Sequence, residues 1–161
     1  MLKATRDFIK ARSKFTQYTP YVRTDVKRIG GGEANKCFEN SCAQRDLSID
    51  TETKVVCMSG WLVQPYKKAT NSTAIIQHWW NVDNAGNHFD TSPLINGNEE
   101  YVLDFDIYEF GRVHLDKIRG NVTMSLLYQD GKFSLLKDFA TMEFQPISEL
   151  RTELFFNYLE L

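Results

Sequence analysis

Two long β-favouring runs in the middle of the chain, Lys54 to Gln64 (KVVCMSGWLVQ) and Thr73 to Asp83 (TAIIQHWWNVD), restrict its fold more than any other feature. Both are rich in valine, isoleucine and tryptophan, whose branched or flat side chains suit a pleated surface. Pro65 to Ser72 between them is a polar turn region. Asp83-Asn84-Ala85-Gly86-Asn87 is a second turn, rich in φ-permissive residues, and His88 to Thr91 returns as the other arm of a hairpin. After a loop carrying Pro93, Asn96 and Gly97, three more strands are expected: Glu100 to Phe110, Asn121 to Gln129 and Lys132 to Phe139. The last two meet at Asp130-Gly131, a pair that supplies the positive φ angles of a tight hairpin. Within the first of the three, Asp104 and Asp106 alternate with Leu103, Phe105 and Ile107 and read as the wet face of a strand.

Helices are expected on either side of this sheet. Leu2, Phe8, Ile9 and Phe15 fall at helical spacing among basic residues, so an amphipathic helix over Leu2 to Phe15 is predicted, with Lys3, Arg6, Lys10 and Arg12 on its solvated face. Tyr18 to Val26 reads as extended or irregular, and Gly30-Gly31-Gly32 as a flexible joint. A short helix begins near Cys37, with Asn35 as the expected N-cap. Pro146 opens a C-terminal helix to about Leu159, with Ile147, Leu150, Leu154 and Tyr158 on one face. Helices gathered at the ends of an antiparallel sheet make an α+β fold, read as one domain over 1–161. Its parts are 1–32 (helix and joint), 33–93 (the chemistry-bearing core) and 94–161 (sheet completion and the last helix).

Composition excludes several classes. With 42% hydrophobic and 25% charged residues, the 161-residue chain is globular rather than disordered. The net charge of −2 gives no basic face for nucleic acid, and no apolar run reaches the length of a membrane span. The amino-terminal residues lack the apolar core of a signal peptide, and Cys37, Cys42 and Cys57 form no disulfide framework, so a cytoplasmic setting is expected. No phosphate-binding loop follows the glycine triplet, and no cofactor is implied. Cys37, His78, His88 and Asp90 are zinc-ligand types without metal-motif spacing.

The candidate chemistry is nucleophilic. A thiol at a helix amino end gains from the dipole and from free amides, which can also receive an oxyanion. Cys37 is placed there. Cys42 points elsewhere, and Cys57 is a packed strand thiol. A hairpin centred on Asn84 sets His78 opposite Asp90, so a base and a carboxylate to orient it share one face, together with His88. A register slip of one residue would separate them.

The ordered block Cys37-x-x-Asn40, Ser59-Gly60-Trp61, His78-Trp79-Trp80-x-Val82-Asp83-x-x-Gly86-x-x-x-Asp90-Thr91 resembles the core of the transglutaminase-like and papain-like cysteine hydrolases, and is similar to that of small phage and bacterial proteins carrying such a block. It covers about Cys37 to Pro93. The resemblance implies Cys37 as nucleophile, His78 as base and Asp90 as orienting carboxylate, on a papain/transglutaminase-like core. No glutamine stands just upstream of Cys37, which leaves backbone amides or the side chains of Asn35 or Asn40 as oxyanion donors. Trp79 is bulkier than the family's residue there and is placed to narrow the entrance. Trp61 and Trp80 read either as packing or as substrate contacts. Two functions are expected: an acyl-transfer enzyme (amidase, peptidase, deamidase or transglutaminase) acting on a protein or peptide amide, or a catalytically silent module that binds a protein partner.

Overall fold

The structure, a computed structural model, describes residues 1–66, 68–93, 98–114, 117, 125–138 and 140–156. In chain order the elements are α1 (Lys3–Arg12), β1 (Tyr21–Arg23), β2 (Lys27–Arg28), α2 (Cys37–Leu47), β3 (Val55–Pro65), β4 (Ser72–Asp83), β5 (His88–Asp90), β6 (Glu100–Leu103), α3 (Phe105–Val113), β7 (Ser125–Gln129), β8 (Lys132–Asp138), β9 (Glu143–Ile147) and a short 3-10 turn, Thr152–Phe156. The strands form one sheet in the order β1-β6-β3-β4-β7-β8-β9, with β5 on β4 and β2 on β5. Every pairing is antiparallel except β2 with β5. Among the described residues no helix is long and apolar enough to cross a membrane.

The architecture is α+β, and it departs from the sequence-based expectation at two places. The alternation around Asp104 belongs only partly to a strand. β6 stops at Leu103, and Asp104 begins α3 by accepting from the Ile107 amide at 3.2 Å. An acidic side chain that satisfies a first-turn amide favours the helix over continued alternation. Instead of opening a C-terminal helix, Pro146 sits in β9 opposite Ser134, and the only helical turn that follows among the described residues is Thr152–Phe156. β9 is the outermost strand, where a missing amide hydrogen costs the ladder nothing on its open side. The expected end of that helix, 157–159, lies outside the described residues, as do positions 121–124 of the expected strand.

The sheet has two unlike faces. On one, Trp61, Val63, Ile75 and Trp79 join Phe8 of α1, Ile107 of α3 and Phe155 in the main core. Phe8 and Phe155 meet the Trp61 ring edge-on at 5.2 and 4.7 Å. Arg12 is not on a wet face; it is fully buried beneath this layer. Its Nε lies 2.8 Å from Asp104 Oδ2, Nη1 donates to Leu150 O (2.5 Å) and Nη2 to Thr152 Oγ1 (2.7 Å). Trp61 Nε1 donates to the same carboxylate at 2.9 Å. Asp104 is therefore no wet strand residue but the buried knot joining α1, β3, α3 and the C-terminal segment. On the opposite face Leu62, Trp80, Tyr101 and Leu103 form a smaller cluster with Met58 and Val26.

β4 positions the chemistry. Its edge away from β3 pairs with β7 through Ile76 and with β5 from Asn81 onward, so Gln77 to Trp80 have no strand partner there among the described residues. Helix α2 docks at this gap. Ser41 Oγ donates to Trp80 O (2.9 Å), Asn81 Nδ2 donates to Ser41 O (3.0 Å), and Phe38 packs on Trp79 with ring centroids 5.1 Å apart. The glycine segment before α2 is anchored rather than a loose joint. Ile29 N donates to Asp90 O (2.8 Å) and Gly32 N to Thr91 O (2.7 Å). Gly30 and Gly31 adopt φ of 72° and 94°, the left-handed region that glycine enters without steric penalty.

Candidate active site

The hairpin at 83–87 is set by Asp83, whose Oδ1 accepts from the Ala85 and Asn87 amides at 2.9 Å each. The resulting pairs are Asn81↔Phe89 and Val82↔His88, so the turn is centred on Ala85 rather than Asn84. Moving the centre by one residue moves each partner by two. Side-chain parity is preserved: Asp90 falls on the row of Trp80 and reaches His78 diagonally. His78 Nε2 and Asp90 Oδ2 are 2.7 Å apart.

The carboxylate is held from several sides. Tyr101 Oη donates to Asp90 Oδ2 (2.7 Å), Ser92 N donates to Oδ1 (2.8 Å), and Arg28 Nε stands 3.8 Å from Oδ2. Burial opposes its charge, yet the bonds from His78, Tyr101 and the Ser92 amide hold it well below the usual carboxylate range. Burial and the neighbouring Asp90 charge push Tyr101 far above an ordinary phenol, so it remains a donor. For His78, burial disfavours the cation, but the charge of Cys37, the bond to Asp90 and the bond to Cys37 outweigh it and raise the imidazole from 6.5 to about 9. With Nε2 engaged by Asp90, the remaining ring nitrogen is Nδ1.

Cys37 is the first residue of α2. It is only 8% exposed and belongs to the main core cluster, and it also lines a cavity of about 870 Å³ that His78 lines as well. The N-cap is Lys36 rather than Asn35, and no side chain caps the helix, which leaves first-turn amides without intrahelical partners beside the sulfur. Asn35, at φ 59°, lines the same cavity. Asn40 does not face it. Its Oδ1 accepts from Glu33 N (3.0 Å) and its Nδ2 donates to Glu33 O (2.8 Å), clamping the loop that delivers Cys37.

The tryptophans divide between the two faces. Trp61 belongs to the main core, away from the site. Trp79 packs on Phe38 in that core and does not narrow the entrance. Trp80 is a backing wall: its ring stacks on His78 at 6.5 Å and 20°, and its Nε1 donates to His88 Nδ1 (3.0 Å). Burial lowers the His88 pKa, in keeping with an accepting, neutral ring. Cys42 of α2 and Cys57 of β3 are free thiols, and the influence of Cys42 lowers the Cys57 pKa to about 7 against the opposing effect of burial.

Tyr101, Arg28 and Ser92 went unread in the sequence. Ser92 had a local signal, since a serine two residues after an aspartate can offer its amide back to the carboxylate. Tyr101 and Arg28 had none, because each reaches Asp90 from a strand distant in sequence. Among the described residues no cluster of three or more His, Cys, Asp or Glu side chains is arranged to hold a metal ion. Compared with protein-family models, curated proteins and solved structures, the chain matches none of them.

Proposed function

We propose that the protein is a cysteine-nucleophile acyl-transfer enzyme acting on an amide, on a papain/transglutaminase-like core, with Cys37, His78 and Asp90 as its catalytic residues. One arrangement carries the reading: a thiol at a helix amino end and an imidazole gripped by a buried carboxylate line the same cavity, and the thiol is among the groups that raise the imidazole pKa. The imidazolium, favoured up to about pH 9, stabilises negative charge on the adjacent sulfur, and the thiolate is the attacking species. It adds to the amide carbon, forming a C–S bond and a tetrahedral oxyanion that the first-turn amides of α2 receive. His78 gives its proton to the amide nitrogen, the C–N bond breaks, and the amine leaves. A water or an acceptor amine then attacks the thioester carbon while His78 takes a proton from it; the C–S bond breaks, the acid or new amide leaves, and the thiolate–imidazolium pair is restored. Asp90 stays ionised and keeps the ring oriented. On this reading the partner is a protein or peptide amide.

The test is alkylation by iodoacetamide near pH 7, mapped by mass spectrometry. Because Cys57 is itself lowered to about 7, Cys42→Ser and Cys57→Ser serve as the background. In that background Cys37 is the one thiol left and should label rapidly, and His78→Ala should slow it about tenfold or more. Sluggish labelling of Cys37, or a rate indifferent to His78→Ala, overturns the assignment.

A further inference from the structure

The cavity extends far beyond the thiol, and its floor follows from strand register. Gly60 pairs with His78, Leu62 with Ile76 and Gln64 with Ala74, while Ser125 and Leu127 of β7 continue those last two rows. Leu136 and Phe144, paired across β8 and β9, extend the floor outward. Four residues of β4 separate His78 from Ala74, about 13 Å at the ordinary strand rise. The trough thus leads from the imidazole along a mainly apolar sheet face, with Gln64 and Ser125 in the floor and Lys68 also in the lining.

Three polar atoms in this lining stand out. Gln64 Oε1, Ser92 Oγ and Arg28 Nη1 are each buried without a hydrogen-bond partner. Arg28 Nη1 lies 3.6 Å from Glu99 Oε1, a charge contact beyond hydrogen-bond length. Buried polar atoms are nearly always paired, so three in one cavity point to an occupant that completes them. Ser92 and Arg28 lie beside Asp90 at the catalytic end and offer donors. Gln64, at the far end, offers an acceptor. An extended peptide carries a carbonyl for the first and an N–H for the second, and about four residues span the distance. A hydrocarbon chain carries neither group.

We propose that this trough is the substrate-recognition site and takes an extended, uncharged peptide segment of about four residues with bulky apolar side chains, its backbone held by Ser92 and Arg28 at one end and by Gln64 at the other. This deepens the enzyme reading above and rests on it for the word substrate. The site itself is tested by binding, without turnover. The full chain carrying Cys37→Ala is titrated by calorimetry with three probes: N-acetyl-Ala-Leu-Ala-Phe amide, N-acetyl-Asp-Lys-Asp-Lys amide and dodecanamide. The apolar peptide should bind at least about tenfold tighter than either competitor, and Gln64→Leu should weaken it about tenfold while leaving dodecanamide no weaker. Leu127→Trp, on the trough floor, should weaken the apolar peptide with the melting temperature held within a few degrees. Equal binding of the charged peptide, or dodecanamide binding tighter than the apolar peptide, overturns the proposal. If the apolar peptide binds as expected but the wild-type chain releases no amine from it, the site stands and the acyl-transfer reading falls.

Discussion

Replacing Asp90 by asparagine keeps the side chain's size and removes the charge that faces His78, Tyr101 and Arg28, and the His78 part is read from that ring's own titration. The rise from 6.5 to about 9 corresponds to about 3 kcal/mol of preference for the imidazolium in the folded state. Cys37 and Asp90 supply it against burial, with Cys37 ahead. Removing one of the two should cost roughly 1–2 kcal/mol near pH 6. In a chain of this size that lowers the melting temperature by roughly 2–8 °C. The pH dependence has a definite sign. The folded pKa lies above the unfolded one, so this stability is complete below pH 6.5 and is lost as pH rises through about 9. Asp90's own depressed carboxyl contributes stability that is lost only in acid, outside that window. Wild-type protein should therefore melt progressively lower between pH 6.5 and 9, whereas Asp90→Asn should show a shallower decline displaced to lower pH. Thermal melts across pH 5.5–10, with NMR titration of the His78 ring protons, read both quantities. Parallel melting profiles and an unmoved His78 titration in Asp90→Asn would refute the coupling and, with it, the orienting role of the carboxylate.

Two further variants probe the scaffold. At Gly32 an added Cβ would stand 2.6 Å from the Asn40 side chain and 2.8 Å from Thr91 O, so Gly32→Ala should cost roughly 1–3 kcal/mol in thermal melts. It should also slow Cys37 alkylation, and unchanged stability with unchanged labelling would deny the loop its positioning role. Asp104→Ala leaves Arg12 charged, buried and without its carboxylate, so a loss of roughly 3–5 kcal/mol is expected in denaturant unfolding. Adding Arg12→Met should recover much of it, and a near-neutral single variant would show that the buried pair carries little.

The sheet was largely legible because its strands repeat with a period of two and are rich in branched and aromatic residues. The Asp130-Gly131 hairpin was legible because its geometry needs positive φ, and the two residues adopt 50° and 79°. Helix α2 began near Cys37 as expected, with its cap one residue later than read. The His78–Asp90 pair was also foreseen, although the register differed by two. Parity rescued it, since only an odd shift moves a side chain to the other face. The errors have a common origin. Asp104, Arg12 and Pro146 each show a local pattern with two solutions, and a distant partner chose between them. Asp104 reads as an exposed strand residue until Arg12 and Trp61 are brought onto it. Pro146 reads as a helix start until β8 supplies Ser134 opposite it.

The sequence by itself determined the two long central strands and two hairpins, where a thiol meets a helix amino end, and that a histidine and an aspartate share one hairpin. These are short-range properties, fixed by side-chain alternation, turn stereochemistry and backbone φ. Tertiary structure alone decided that α2 enters the gap along β4, that Tyr101, Ser92 and Arg28 close around Asp90, and that an apolar trough runs outward from the sulfur. Apart from the Ser92 amide, which lies two residues from Asp90, these join separate elements of the chain, and only their packing on the sheet sets the distance.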